Sequence, residues 1–165
     1  MAKKPDKQAA AKLASRSPTI SNRKARHDYE VLDTLECGIA LVGSEVKSLR
    51  DARANLSEAY ARVNQAGDLE LLNFQIDGYF HAGVTNNHDP LRPRRLLAKK
   101  KQIRDLAQAS REIGTSLIPL SLYWVDGRAK IELALARGKK AADKRETLKR
   151  KTEEREMQQS MKRGR

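Results

Sequence analysis

The chain has 165 residues, 39% of them hydrophobic and 33% charged, with a formal net charge of +13 and a single cysteine, Cys37. That length fits one domain with extensions, and one cysteine excludes an internal disulfide framework. The N-terminus, with Lys3, Lys4 and Lys7, lacks the apolar core of a secretory signal, and the longest strongly apolar stretch, 117–125, contains Pro119 and is too short to span a bilayer. A reducing, cytoplasmic setting is expected, with no membrane partner. Residues 1–27 carry eight Lys/Arg and one Asp, residues 137–165 carry twelve Lys/Arg and five Asp/Glu, and the stretch between is nearly neutral.

In chain order, residues 1–21 mix Lys, Ala, Ser, Pro and Gln without an apolar period and predict a disordered basic arm. From Tyr29 the apolar residues alternate (Tyr29, Val31, then Leu35, Cys37, Ile39, Leu41), which predicts two strands, about 28–35 and 38–49, separated at Gly38. Asn55 or Ser57 is placed to cap a short helical turn. Two further strands, about 59–65 and 69–76, flank the turn signal Ala66-Gly67-Asp68. Asn86-Asn87-His88-Asp89-Pro90 is a loop cluster, after which Pro93 stands where a helix can begin. Leu96, Leu97, Ile103, Leu106, Ala107 and Ile113 recur at helical spacing up to Gly114, predicting one bent helix or two consecutive ones. The stretches 117–125 and 129–136 flank Asp126-Gly127, a dipeptide suited to a tight hairpin.

The expected fold is mainly β: an OB-like antiparallel six-stranded barrel over 22–137 with about three helices, between the basic arm and a basic tail, 138–165. The tail has good helix propensity but few apolar residues (Leu148, Met157, Met161), so it is expected to be unstructured alone and helical against an anionic surface.

No catalytic constellation is evident. His27, His81 and His88 are widely spaced and form no zinc pattern with one cysteine. Gly138-Lys139 lacks the first glycine of a phosphate loop, since position 133 is Leu133, and Lys140 stands where Ser or Thr belongs. Neither an enzyme activity nor a cofactor or metal is expected. The charge instead points to a polyanionic partner, with Arg92, Arg94, Arg95, Lys99, Lys100, Lys101 and Arg104 falling within thirteen residues without an acidic residue among them. At 4% aromatic content a stacking platform for single strands is not supported, so the expectation is structured RNA, recognised through phosphates and shape. Composition equally permits a structural ribosomal or ribosome-assembly protein; an RNA-modifying enzyme lacks a nucleophile or metal site.

The elements Asn22-Arg23-Lys24-Ala25-Arg26-His27, Glu36-Cys37-Gly38-Ile39, Gly43-Ser44-Glu45-Val46-Lys47-Ser48-Leu49-Arg50, Arg92-Pro93-Arg94-Arg95-Leu96-Leu97, Gly138-Lys139-Lys140 and Asp143-Lys144-Arg145 occur in the order and spacing of one family. Over about residues 20–146 the chain resembles the SsrA-binding protein (SmpB) family, partners of transfer-messenger RNA. The resemblance implies an OB-like barrel that binds the transfer-RNA-like domain of that RNA. It also implies a tail that becomes helical in the decoding centre and empty messenger channel of stalled ribosomes, allowing trans-translation, with the free protein a monomer. By motif, Asn22, Arg23, Lys24, Glu36 and Leu97 resemble RNA-contacting positions, with Lys47, Arg94 and Arg95 as phosphate contacts. Gly138, Lys139, Lys140, Asp143, Lys144 and Arg145 resemble the ribosome-facing segment. Two departures stand out: Ala141 and Ala142 lie where the family commonly shows an aromatic or His, and Cys37 replaces an alanine. Tail engagement through stacking is therefore not carried over to this chain.

Overall fold

The structure, a computed structural model, describes residues 18–83 and 87–139 together with Met157. It is built on nine strands: β1 (Ile20–Ser21), β2 (Tyr29–Ile39), β3 (Ala54–Asn55), β4 (Tyr60–Val63), β5 (Leu69–Leu72), β6 (Gln75–Ile76), β7 (Arg94–Leu97), β8 (Thr115–Val125) and β9 (Arg128–Gly138). Among the described residues there are three α-helices, α1 (Arg23–Asp28), α2 (Gly43–Arg50) and α3 (Lys100–Ala109), and a short 3-10 turn at Phe80–Ala82.

Strands β8, β4, β5, β7, β2 and β9 follow one another around a sheet that closes through the β8–β9 pairing, with every pairing antiparallel. The result is a ring of six strands, an OB-like barrel that leaves few open edges. The small pair β3–β6 lies outside the ring, and β1 adds to β8 at Leu122 and Ser121. β1 falls within the stretch read as a disordered arm, so the ordered body begins before Asn22.

Period-two alternation turns one set of side chains inward. Cys37, Leu69, Leu71, Leu96, Leu122, Ile131 and Leu133 are buried in the barrel core with Phe74 and Ile76. The ends are closed by helices. α2 follows the end of β2 and contributes Leu49, and α3 follows β7, which runs antiparallel to β2, and contributes Leu106. The two helices therefore seal opposite ends. A second cluster forms outside the ring, where α1 lays Ala25 over Ile118, Leu120, Ala134 and Ala136.

The hairpin expected around Asp126-Gly127 is present. Asp126 and Gly127 take positive φ of 49° and 75°, and Val125 pairs with Arg128 across a two-residue turn. The turn at 66–68 is also found, with Gly67 at φ 82° and the strands trimmed to β4 and β5.

Three expectations require correction. A strand over 38–49 is not formed: β2 continues unbroken through Gly38 to Ile39, and 43–50 is helical. The reason is a capping interaction, in which the Glu45 carboxylate accepts from the Val42 backbone N–H at 2.9 Å and satisfies a donor at the helix start. The helix expected from Pro93 starts only at Lys100, because 94–97 is strand β7 with alternating buried and exposed positions. Its period-two signal is concealed by an arginine, Arg94, at an inward position. The turn around Asn55 is no helix: Asn55 lies in β3 and its side chain accepts from the Ser57 N–H at 2.9 Å.

Candidate nucleic-acid interface

The sequence-derived site residues fall into a buried group and an exposed group. Asn22, at 2% exposure, caps α1: its side-chain oxygen accepts from the Ala25 N–H at 2.9 Å, and its amide nitrogen donates to the Leu56 and Pro119 carbonyls at 2.9 and 3.1 Å. One side chain thus ties α1 to two distant segments, and its hydrogen-bonding atoms face the interior.

Arg94 is buried at 0% exposure, in contrast to the phosphate contact expected of it. Its Nε donates to Glu45 at 2.9 Å, one terminal nitrogen donates to the Pro90 carbonyl at 2.9 Å, and the other to the Phe74 carbonyl. Glu45, itself fully buried, also accepts two bonds from Arg92 at 2.8 and 2.5 Å. Desolvation pushes the Glu45 carboxyl up, but the bonds from Arg92, the Val42 amide and Arg94 outweigh it and hold the group below its ordinary value. The motif residues Glu45, Arg92 and Arg94 thus lock α2 and the 74–94 segment together inside the body. They leave the basic cluster smaller on the outside than the sequence suggests.

The exposed group lies on the outer face of the ring. β2 turns Glu36 and Gly38 outward. Gly38 pairs with Leu97 of β7 on one side and Lys130 of β9 on the other, and Lys130 pairs with Tyr123 of β8. A row of four strands therefore presents Leu97, Gly38, Lys130 and Tyr123 side by side, with Glu36 next to it. Leu97 is 53% exposed. A Cβ added at Gly38 would sit 3.3 Å from the Leu97 Cβ, so glycine is what lets Leu97 lie so close across the sheet. Arg95, two residues before Leu97 on the same face, donates to Asp68 at 2.7 Å and is otherwise open to solvent. Further out, Lys99, Lys100, Lys101 and Arg104 are all exposed at the start of α3.

Glu36 is fully engaged within this face. One carboxylate oxygen accepts from the Lys130 ammonium and the other from the Tyr123 hydroxyl. The hydrogen bonds from Lys130 and then Tyr123 hold the Glu36 carboxyl below its ordinary value, and the same contact pushes the Tyr123 phenol up to about 12. Lys130 and Tyr123 are not singled out by the sequence reading. The signal was available in part, because the two-residue turn at Asp126-Gly127 sets Tyr123 opposite Lys130; their meeting with Glu36 depends on the β2–β9 pairing, which is not local.

The remaining residues are not gathered there. Arg23 and Lys24 are exposed on α1, with Lys24 donating to Glu58 at 2.6 Å. Lys47 lies on α2, its ammonium 5.0 Å from the Tyr79 ring centre in a groove shared with Ser44, His88 and Arg92. Gly138 ends β9, and the Lys139 N–H donates to the Asp28 carbonyl at 2.9 Å, extending the β2–β9 ladder by one bond. Lys140, Asp143, Lys144 and Arg145 lie outside the described residues, as does most of the predicted arm and tail.

Burial pushes the Cys37 thiol up to about 11, so it is neutral at physiological pH. Among the described residues no group of three or more His, Cys, Asp or Glu is placed to hold a metal ion, and no helix is long and apolar enough to cross a membrane.

Fold and surface together define a small closed β-barrel of OB-like type with a mixed polar and basic outer face. The family described as SmpB protein matches residues 19–163. Similar curated proteins include an SsrA-binding protein of Syntrophobacter fumaroxidans, 51% identical over 144 residues covering 87% of this chain and 88% of that one. Another is an SsrA-binding protein of Staphylococcus epidermidis (strain RP62A), 49% identical with 92% and 97% covered. Among solved structures, a chain in "tmRNA-SmpB: a journey to the center of the bacterial ribosome" is 45% identical, covers 76% of this chain and 87% of its own, and aligns with a TM-score of 0.64. The chain belongs to the SmpB family.

Proposed function

We propose that the protein is a ribosome-rescue factor: it binds the transfer-RNA-like domain of transfer-messenger RNA and carries that RNA to stalled ribosomes, where trans-translation begins. The observation that carries this reading is the 45% identity, over three quarters of the chain, to a chain from a tmRNA–SmpB structure on the bacterial ribosome. Its relatives named as SsrA-binding proteins agree with it. The charge distribution fits as well, since a net charge of +13 concentrated at the two ends suits a polyanionic partner.

In this reading the protein binds and positions rather than catalyses, works in the cytoplasm as a monomer when free, and uses no cofactor. The barrel's outer face, with Glu36, Arg95 and Leu97, meets the RNA, with Arg23, Lys24 and Lys47 adding contacts at either end of β2. Asn22 and Arg94 serve the same surface from inside, by fixing α1 and β7. The segment containing Gly138, Lys139, Lys140, Asp143, Lys144 and Arg145 serves the small ribosomal subunit at the decoding centre and the messenger channel, chiefly through charge, since Ala141 and Ala142 offer nothing to stack.

Binding to purified transfer-messenger RNA against an ordinary transfer RNA of similar length tests the reading: a clear preference is expected, and equal affinity at physiological salt refutes it. A chain truncated before Lys139 is expected to keep its RNA affinity and lose peptide tagging of proteins made from a stop-less message. A tenfold loss of RNA affinity in that chain would show that the tail does not act separately from the barrel.

A further inference from the structure

We infer that the groove between α2 and the segment 79–92 is a separate nucleotide site, in which Lys47 and Arg92 take a phosphate and the Phe80 ring stacks on an unpaired base. This rests on the RNA-binding reading above and adds a contact away from the outer face of the ring.

The groove has a volume of about 760 Å³, and its charged lining side chains are both cations, Lys47 and Arg92. No Asp or Glu lines it among the described residues. The Lys47 ammonium lies over the Tyr79 ring and forms no ion pair among the described residues, so its donors stay available. Arg92 shares Glu45 with Arg94, two guanidinium groups on one carboxylate, so the cluster keeps an excess of positive charge. Arg92 is also partly exposed, and it places donors only on Glu45 and the Pro93 carbonyl, leaving others for a ligand. An ordinary solvated surface mixes both signs; two cations without an acid between them suit a phosphate.

The rings stand beside these cations. Phe80 is 81% exposed, its ring centre 5.4 Å from that of His81, which in turn lies 5.4 Å from that of Tyr79. One exposed apolar ring needs no explanation by itself. Here, however, the backbone that carries it is pinned. The Asn87 side chain accepts from the Tyr79 N–H at 3.0 Å and donates to the Tyr79 carbonyl at 3.1 Å, as a strand partner would. Gly78 makes room for this, since a Cβ there would sit 2.7 Å from the Asn87 Nδ2. His88 donates from Nε2 to the Ile76 carbonyl at 3.1 Å, leaving Nδ1 of the neutral ring to accept from the Ser44 hydroxyl at 2.9 Å. The two walls of the groove are thereby tied together, and the ring is presented at little further cost in entropy. Cations beside a presented flat ring match the two halves of a nucleotide, its charge and its base. A base inside a helix has no open face, so the nucleotide is an unpaired one.

The test uses the full chain and transfer-messenger RNA, with affinity measured across a salt series for the wild type, F80A, F80L, F80W and K47M. F80A and F80L are expected to weaken binding about fivefold or more without changing the salt slope, because stacking is lost and no charge is removed. F80W keeps a ring and is expected to bind as the wild type does. K47M is expected to weaken binding and to flatten the slope by about 1. Thermal unfolding checks each fold, and loss of an exposed ring should leave the midpoint in place. Wild-type affinity in F80A, normal binding by F80L where F80A is weak, or an unchanged slope in K47M overturns the site. Adenosine monophosphate is the competing free ligand and is expected not to displace the RNA at millimolar concentration. Displacement that F80A abolishes would overturn the RNA strand as the source of the nucleotide. A wild type that does not prefer transfer-messenger RNA refutes the RNA reading itself, whereas a normal preference with unaffected Phe80 variants refutes the groove alone.

Discussion

Two clusters of acid and base sit in this small body and do opposite things. At the end of the barrel closed by α2, Glu45 and Arg94 lie away from water with the partly exposed Arg92 at their edge, and every carboxylate oxygen and most guanidinium donors are spent inside the protein. On the outer face, Glu36 lies with Lys130 and Tyr123 in contact with solvent. Removing one member of a buried cluster strands an unpaired charge in a poorly solvating interior, whereas removing one member of an exposed cluster lets water take its place. The same chemistry therefore specifies architecture in one place and presentation in the other.

The largest expected effect tests the buried side. Glu45→Ala leaves Arg94 without its counter-ion and should cost about 3–5 kcal/mol, read from urea unfolding; a loss below about 1 kcal/mol would place the cluster with ordinary surface pairs. Asn22→Ala comes next, removing a helix cap and the side-chain donor to the Pro119 and Leu56 carbonyls, the latter keeping only the Ala59 N–H. It should cost about 1–3 kcal/mol by the same measurement. Acid unfolding is the third test. Because the folded Glu45 carboxyl titrates below its unfolded value, its contribution is complete above the unfolded pKa of about 4.3 and is lost as the pH falls through the lower folded one. Glu45→Gln should lower stability at neutral pH and make the remaining stability less sensitive to acid in that window; an unchanged acid slope would contradict the assignment. The smallest effect belongs to the outer face, where Glu36→Gln should leave the urea midpoint in place while RNA affinity falls. A clear midpoint shift would move Glu36 into the architectural class.

The same distinction explains what is legible in the sequence. The β8–β9 hairpin is readable because its signals are local: two apolar stretches and a dipeptide that accepts positive φ at both turn positions. The barrel class follows from the many short alternating stretches, although the six strands expected split β2 at Gly38 and omit β7. The start of α2 is obscured because Ile39 and Leu41 continue the strand rhythm into it, and the decisive feature is a single glutamate at the third helical position. β7 is obscured because its inward residue is Arg94, acceptable there only through partners at Glu45, Phe74 and Pro90 that lie 49, 20 and 4 positions away. Glu36 and Leu97 are singled out only through family resemblance; no local pattern sets Leu97 across the sheet from Gly38, two residues along β2 from Glu36. Nor does any local pattern separate Arg94 from Arg95, adjacent in sequence and facing opposite sides of the strand.

The pairing of β2 with β9 has a consequence for how the molecule comes into being. It joins Tyr29 to Gly138, and the Asn22 side chain reaches the Pro119 carbonyl across 97 positions. Contacts of such high sequence separation order a long loop before they return any stabilisation, and they slow folding. The β8–β9 hairpin closes over two residues and needs no such wait. During synthesis, therefore, the ring stays open until its last strand has emerged. The outer face, which spans β7, β2, β9 and β8, is completed in the same closing event that completes the core.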